Sequence, residues 1–117
     1  MDKQQVQAVL NLLPNSHYNP VFIVGDADEV IEMSSYRNCD YSVLGVVNMD
    51  KAPTANYIIR EFEDIESEPV LQEKLADFLG RCILQGQQIV IISKKEINSM
   101  KLDGRLRSRI CSGVIIE

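Results

Sequence analysis

The sequence predicts an α/β fold in which helices cover both faces of a parallel sheet of about five strands, giving three layers. Short apolar runs alternate with segments of helical periodicity along the whole chain, and such alternation is typical of a parallel sheet. One run, residues 20–24, is almost entirely apolar, as expected for a central strand that is covered on both faces. The 117 residues contain no linker and no internal repeat, so they suit one domain, 1–117.

The first half of the chain alternates helix and strand twice. Its predicted elements are a helix over 3–13, a strand over 20–24, a helix over about 28–37 and a strand over 41–49. Pro14 ends the first helix, so residues 1–16 form an N-terminal helix and the lead-in to the first strand. Asp26 or Asp28 caps the second helix, and β-branched residues define the second strand.

The second half continues the alternation. Its predicted elements are a strand over 57–62, a long helix over 67–85, a strand over 88–93, a short basic helix over 103–110 and a strand over 113–117. The long helix has one apolar stripe, formed by Leu71, Leu75, Phe78, Leu79, Cys82 and Ile83. Gly86 follows it and suits a C-terminal cap, because glycine adopts the left-handed conformation that such caps require.

Composition narrows the possible classes of function. The net charge is −5, and an acidic surface does not favour a nucleic-acid groove. Three widely spaced cysteines and a single histidine give no zinc-ligand pattern and suit buried or idle thiols of a reducing cytoplasm. The chain has no signal peptide and no apolar run of membrane length, so we expect a cytoplasmic protein without membrane contact.

The last thirty residues, QIVIISKKEINSMKLDGRLRSRICSGVIIE, carry the most specific pattern in the chain. A strand ends at Ser93, a loop follows, a helix then reads Arg-Leu-Arg-Ser-Arg over 105–109, and Gly113 precedes a final strand. This order of features resembles the bacterial replication initiator DnaA and its Hda-type relatives in the AAA+ superfamily. Within that resemblance, Ser93 matches the sensor-1 position.

Two other segments extend the resemblance over about residues 17–117. Residues 18–23, YNPVFI, are similar to the family's lead-in to the Walker A loop, and residues 62–65, FEDI, look like the Walker B end with Glu63 and Asp64 as its acids. The resemblance implies a reduced AAA+ core with a P-loop NTPase-like strand order of 5-1-4-3-2. The family's helical lid and duplex-binding helix-turn-helix domain have no counterpart here, so we expect no direct binding of duplex DNA.

The same alignment departs from the family at the phosphate-binding loop. With Gly25 as the first P-loop glycine, Ile31 takes the place of the lysine and Glu32 that of the Ser/Thr. A P-loop binds phosphate through that lysine and through backbone N–H groups at a helix N-terminus. Because Asp26 and Asp28 add negative charge nearby, the resemblance implies a degenerate Walker A motif, and we expect neither a nucleotide cofactor nor a bound metal.

Arg105, Arg107 and Arg109 are the predicted partner-binding residues. The resemblance places Arg109 where AAA+ proteins carry an arginine that reaches the nucleotide of a neighbouring subunit, and Arg105 lies one helical turn earlier. The alternative is a solvated basic helix that balances the acidic residues of the chain.

Two hypotheses for function follow. The first is a non-catalytic, DnaA/Hda-like interaction module that regulates DNA replication initiation by contacting another AAA+ protein, such as a replication initiator, or itself as a homo-oligomer. It would either supply Arg109 to its partner or cap an oligomer. The second is a minimal residual NTPase or phosphate-binding enzyme in which Glu63 and Asp64 hold Mg²⁺. We favour the first, because the carboxylates near Gly25 oppose a triphosphate.

Overall fold

A computed structural model describes residues 3–11, 13, 18–28, 32, 36–40 and 55–117. The strands are β1 (Val21–Val24), β2 (Arg37–Asp40), β3 (Tyr57–Arg60), β4 (Ile89–Ser93) and β5 (Val114–Ile116). The α-helices with defined bounds are α1 (Lys3–Asn11), α2 (Pro69–Gln85) and α3 (Gly104–Cys111). Short 3-10 helices occur at Phe62–Ser67 and Ile97–Ser99.

The strands form one sheet in the order β2-β3-β4-β1-β5, and every neighbouring pair is parallel. Val21 at the start of β1 is level with Val90 of β4 on one side and with Val114 of β5 on the other. The predicted order, 5-1-4-3-2, is the same order read from the opposite edge, so it is confirmed. A parallel sheet brings the carboxyl ends of its strands to one edge, where ligands of α/β proteins commonly bind.

The sheet separates two hydrophobic cores, because successive residues of a strand point to opposite faces. The first core lies against α2 and α3 and includes Phe22, Ile59, Phe62, Leu75, Phe78, Leu79, Ile91, Leu106 and Ile110. The second lies against α1 and includes Val6, Val9, Val21, Ile23, Ile58, Val90 and Ile92. Two cores on opposite faces are what a three-layer α/β architecture requires, so the predicted fold class is confirmed.

Two predicted boundaries in the middle of the chain are wrong. Arg37 begins β2, where it pairs in register with Tyr57, whereas the sequence pattern extended a helix to about this residue. The predicted strand over 41–49 falls outside the described residues. β3 ends at Arg60 instead of at residue 62, because Glu61 adopts a left-handed φ of 55° and the backbone turns into the first 3-10 helix.

The ends of the two helices on the first core follow local chemistry. Pro69 occupies the first turn of α2, where its missing N–H is not needed, so the helix starts two residues later than predicted. Gly86 ends α2 with a φ of 72°, and its predicted role as the C-terminal cap is confirmed. Asp103 caps α3, since its carboxylate accepts hydrogen bonds from the backbone N–H groups of Arg105 and Leu106.

Polar side chains join the strands at the opposite, amino-terminal edge of the sheet. The Asn19 amide donates to the Gln87 carbonyl at 2.5 Å and accepts from the Ile89 N–H at 3.0 Å. The Tyr36 hydroxyl donates to the Gln88 side chain, and burial raises the pKa of Tyr36 to about 12. These hydrogen bonds satisfy polar groups of the chain, so this edge serves the structure. We therefore expect a binding site at the carboxyl edge.

Candidate functional site

A pocket of about 430 Å³ opens at the carboxyl ends of β1, β3 and β4. Its lining residues are Gly25, Asp26, Ala27, Asp28, Arg60, Glu61, Glu63, Ile92, Ser93 and Lys94. The pocket therefore lies where the Walker-like segments of the sequence converge. It brings together the predicted Gly25, Glu63 and Ser93 from three separate parts of the chain.

The loop after β1 forms one wall, and two of its backbone N–H groups, those of Gly25 and Asp28, already have acceptors. Gly25, with a φ of 114°, donates its N–H to the Ser93 carbonyl oxygen at 2.8 Å. The Asp28 N–H donates to Asp26 Oδ1 at 3.1 Å. A carboxylate of the chain itself thus occupies a donor that a P-loop would offer to a phosphate.

The segment after β3 forms the facing wall. Arg60 and Glu61 line the pocket directly, and Glu63 lines it from the 3-10 helix, where its Oε2 accepts the Lys94 N–H at 3.3 Å. Asp64 is exposed and is not among the lining residues. The two Walker B candidates therefore separate, and only Glu63 faces the cavity.

Arg60 and Glu61 are site residues that the sequence interpretation missed. The predicted strand ran to residue 62, which placed Glu61 inside the sheet and Arg60 in its middle, whereas Arg60 is the last residue of β3. The available signal was the charged pair itself, since two consecutive charged residues seldom continue a buried strand. Glu61 also carries a left-handed φ, which costs a non-glycine residue on the order of 1 kcal/mol and is common at functional sites.

Ser93 ends β4 with its side chain almost completely buried. Its hydroxyl donates to the Lys95 carbonyl at 2.8 Å and accepts the Lys95 N–H at 3.0 Å. Ser93, which the resemblance matches to the sensor-1 position, thus lines the pocket. Its hydrogen bonds hold the following loop.

Carboxylates outnumber cations in the lining. Asp26, Asp28, Glu61 and Glu63 contribute four negative charges, whereas Arg60 and Lys94 contribute two positive ones. Like charges a few Å apart repel by about 1 kcal/mol even in water and by more in a partly enclosed site. A triphosphate in this cavity would meet that repulsion, so the charge of the described lining opposes it.

Two positions of the predicted Walker A motif, Ile31 and Glu32, do not contribute to the described pocket lining. Glu32 is helical and exposed and does not line the pocket, while Ile31 lies outside the described residues.

Across the ranges that the structure describes, no group of three or more His, Cys, Asp or Glu side chains is arranged to hold a metal ion. Nor does that part of the chain contain a helix long and apolar enough to cross a membrane.

The three predicted partner-binding arginines lie on α3, outside the pocket lining, and each has different surroundings. Arg105 is exposed and pairs with Asp77 of α2, with 3.0 Å between Nη1 and Oδ1, and it also reaches the Glu73 carbonyl at 3.4 Å. Arg107 donates to the Ile97 carbonyl at 2.8 Å and to the Met100 carbonyl, so it fastens the loop before α3.

Arg109 differs from both. It is half-buried, and its guanidinium lies against Gly80 of α2. Its Nε is buried and has no hydrogen-bond partner among the described residues. In that part of the chain, the ion pairs are Lys95–Glu66 and Arg105–Asp77, so no described carboxylate neutralises Arg109.

A polar bridge connects the pocket wall to the α3 side. Glu66 pairs with Lys95 at 2.8 Å and accepts the Lys101 N–H at 3.4 Å, and the Lys95 hydrogen bond lowers the pKa of Glu66 and raises that of Lys95. Buried Gln72 donates to the Ile65 carbonyl at 2.9 Å and accepts the Asp103 N–H at 2.6 Å. The segment after β3 is therefore held to the start of α3.

Solved structures with this architecture include domain III of the replication initiation protein DnaA from Thermotoga maritima. The chain matches it with a TM-score of 0.75 and 20% identity over 95% of this chain and 59% of that one. AMPPCP-bound DnaA from Aquifex aeolicus matches with a TM-score of 0.73 and 18% identity over 97% of this chain and 44% of that one. The chain thus spans about half the length of the DnaA chains that it matches.

A more distant match is a putative primosome component from Streptococcus pyogenes serotype M3, with a TM-score of 0.57 and 10% identity over 97% of this chain and 76% of that one. No protein-family model and no curated protein matches the sequence. The predicted resemblance to the DnaA AAA+ core is confirmed at the level of the fold.

Proposed function

We propose that this chain is a non-catalytic, DnaA/Hda-like interaction module that regulates DNA replication initiation by contacting another AAA+ protein. One observation carries the proposal: the pocket at the nucleotide position of this fold is lined by four carboxylates, and one of them, Asp26, already accepts the Asp28 N–H of the loop. If a domain with this fold does not bind a nucleotide, we infer that it functions by binding another protein through its surface. The fold of replication initiators supports replication control as the setting.

The α3 face is the surface that we assign to the partner. Arg109 is half-buried and forms no ion pair in the described chain, and Arg105 lies exposed one turn earlier. Arg107 is committed to carbonyls of its own loop, so we assign it to supporting the face. A guanidinium suits recognition of a carboxylate or phosphate, because its planar array of donors matches two acceptor oxygens at once.

Binding of an intact AAA+ initiator from the same cell tests the proposal. Arg109→Ala should weaken binding at least about tenfold, or about 1.4 kcal/mol. Arg109→Lys keeps the charge but loses the planar fork, so it should recover only part of the affinity. Lys101→Ala removes an exposed positive charge outside α3 and serves as the control. Binding that is unchanged by Arg109→Ala would refute the proposed surface.

The partner's ATPase rate separates the two modes of action. If the chain supplies Arg109 to a nucleotide site, hydrolysis should rise when the chain is added and return to the basal rate with Arg109→Ala. If it caps an oligomer, the partner's assembly should stop growing while the rate per subunit stays constant. We favour capping, because the carboxylate-lined pocket would give the next subunit no nucleotide to share.

A residual NTPase is the second candidate, and the position of Glu63 and Ser93 in a pocket of about 430 Å³ favours it. This candidate requires magnesium nucleotide to bind the folded chain. A ligand at 100 times its Kd stabilises a protein by about 2.7 kcal/mol, which thermal denaturation readily detects. We expect no shift in Tm with millimolar Mg–ATP or Mg–ADP. A shift that Glu63→Gln abolishes would establish the NTPase instead.

A further inference from the structure

Gly80 of α2 makes room for the guanidinium of Arg109. An ideal Cβ atom built at position 80 would lie 2.9 Å from Nη1, 3.1 Å from Cζ and 3.3 Å from Nη2 of that arginine. Contacts of a Cβ below 3.0 Å are essentially never observed, so any other residue at position 80 must displace the guanidinium. The group therefore occupies the space that the absent side chain leaves open.

The backbone conformation of α2 does not require a glycine at position 80. Gly80 lies inside the 17 residues of α2, and its backbone does not have the positive φ found at Gly25 and Gly86. Alanine has a higher helix propensity than glycine at such a position, because glycine loses more backbone freedom when a helix forms. What the glycine provides is the close approach of an arginine from the neighbouring helix.

The neighbouring arginine on α3 is also held by α2. The salt bridge to Asp77 and the hydrogen bond to the Glu73 carbonyl fix Arg105, one turn before Arg109. Arg109 has no such partner in the described chain, and its position depends on packing against Gly80. A guanidinium that is fixed by packing keeps its donors and loses little rotamer freedom when it binds an acceptor.

We propose that Gly80 is a positioning residue, which holds the guanidinium of Arg109 flat against α2 so that its terminal Nη groups, already ordered, meet an oxyanion of a partner protein. The partner's identity rests on the function proposed above, whereas the positioning of Arg109 does not. The oxyanion is a carboxylate of the partner or a phosphate of its nucleotide, which share the two-oxygen geometry that a guanidinium recognises.

The positioning is tested first on the isolated chain with Gly80→Ala. We expect the Tm to stay equal or to rise, because the clash involves only the flexible end of a side chain and alanine favours the helix. The Nε–Hε signal of Arg109 in NMR should shift and broaden, and phenylglyoxal should modify Arg109 several-fold faster. Gly104→Ala, where a Cβ meets nothing within 4 Å, is the matched control. An unchanged Arg109 signal would overturn the proposal.

Binding of the intact initiator provides the second arm. Gly80→Ala should reduce affinity about as much as Arg109→Ala, and the double variant should be no weaker than either, since both changes remove one interaction. Additive losses, or full affinity in Gly80→Ala beside a weak Arg109→Ala, would overturn the positioning role. If Arg109→Ala alone binds normally, the proposed function fails, and the NMR arm still decides the role of Gly80.

The nucleotide state of the initiator identifies the acceptor. The measurement is repeated with the initiator loaded with ATP and with the initiator free of nucleotide. A loss in Gly80→Ala that appears only with ATP assigns the acceptor to phosphate. An equal loss in both states assigns it to a carboxylate. The absence of any loss in both states contradicts the proposal.

Discussion

Gly113 lies so close to Pro20 that a Cβ atom at position 113 would stand 2.0 Å from the Pro20 carbonyl oxygen. The same oxygen accepts the Val114 N–H at 2.9 Å, at the point where β5 joins β1. The close approach of the two backbones therefore fixes the register of the edge strand. It also explains physically why a glycine precedes the final strand in the pattern that resembles DnaA.

Gly113→Ala should destabilise the fold by at least about 2 kcal/mol, because the clash is with backbone atoms that no side-chain rotation can remove. Urea denaturation followed by circular dichroism measures this cost. Gly104→Ala is the control, since its new methyl group meets open space, and its effect should stay within about 0.5 kcal/mol. Equal stability of the two variants would contradict the packing described here.

The sequence predicted the parts of this fold that depend on local pattern. The alternation of helical and strand patterns predicted the parallel sheet, and the left-handed conformation that glycine adopts predicted the C-terminal cap at Gly86. For the end of β3 at Arg60 the sequence offered only the charged pair Arg60-Glu61, and the left-handed turn at Glu61, which lines the pocket, has no pattern of its own. Propensity is weak at such positions, since tertiary contacts override it.

The sequence likewise predicted only some features of the candidate site. Motif order along the chain was enough to bring Gly25, Glu63 and Ser93 to one edge of the sheet. The different surroundings of the α3 arginines were not visible, because Arg107 contacts its own loop and Arg109 contacts a glycine of another helix. Contacts of long side chains across helices depend on packing geometry, which a single sequence does not encode as a pattern.

Gln72 is a second point where the fold is sensitive to a single side chain. Its buried amide bonds the Ile65 carbonyl and the Asp103 N–H. Gln72→Leu should leave the Asp103 N–H without its acceptor, whereas the Ile65 carbonyl keeps the Glu68 N–H at 2.9 Å. An unsatisfied buried group costs about 1–3 kcal/mol, and we expect a loss of that size. Gln85→Leu, at an exposed position of the same helix, should have little effect. A small loss in Gln72→Leu would show that this bridge is not rigid.

The cysteines of the two helices should differ in reactivity. Burial raises the pKa of the Cys82 thiol to about 12, whereas Cys111 is exposed at the end of α3. Because the thiolate is the reactive form, a maleimide or disulfide reagent at pH 8 should label Cys82 at least about 100-fold more slowly than Cys111. Mass spectrometry of the labelled peptides measures both rates. In denaturant the rates should converge, and equal rates in the native chain would contradict the burial of Cys82.

The Glu66–Lys95 pair should make stability depend on pH at both extremes. The pKa of Glu66 is lowered from 4.5, so its contribution is present above that pH and is lost as the pH falls through the folded value. The pKa of Lys95 is raised from 10.5, so its contribution is present below that pH and is lost as the pH rises through the folded value.

Glu66→Gln should therefore flatten the acid side of the stability profile, and the effect should be modest, because exposed ion pairs contribute little and are screened by salt. Urea denaturation between pH 3 and pH 7 measures the slope of the unfolding free energy. Glu68→Gln replaces an exposed glutamate that has no ion pair among the described residues, so it is the matched control. If both variants keep the slope of the unmodified chain below pH 4.5, the carboxylate of Glu66 does not link the pocket wall to the following loop.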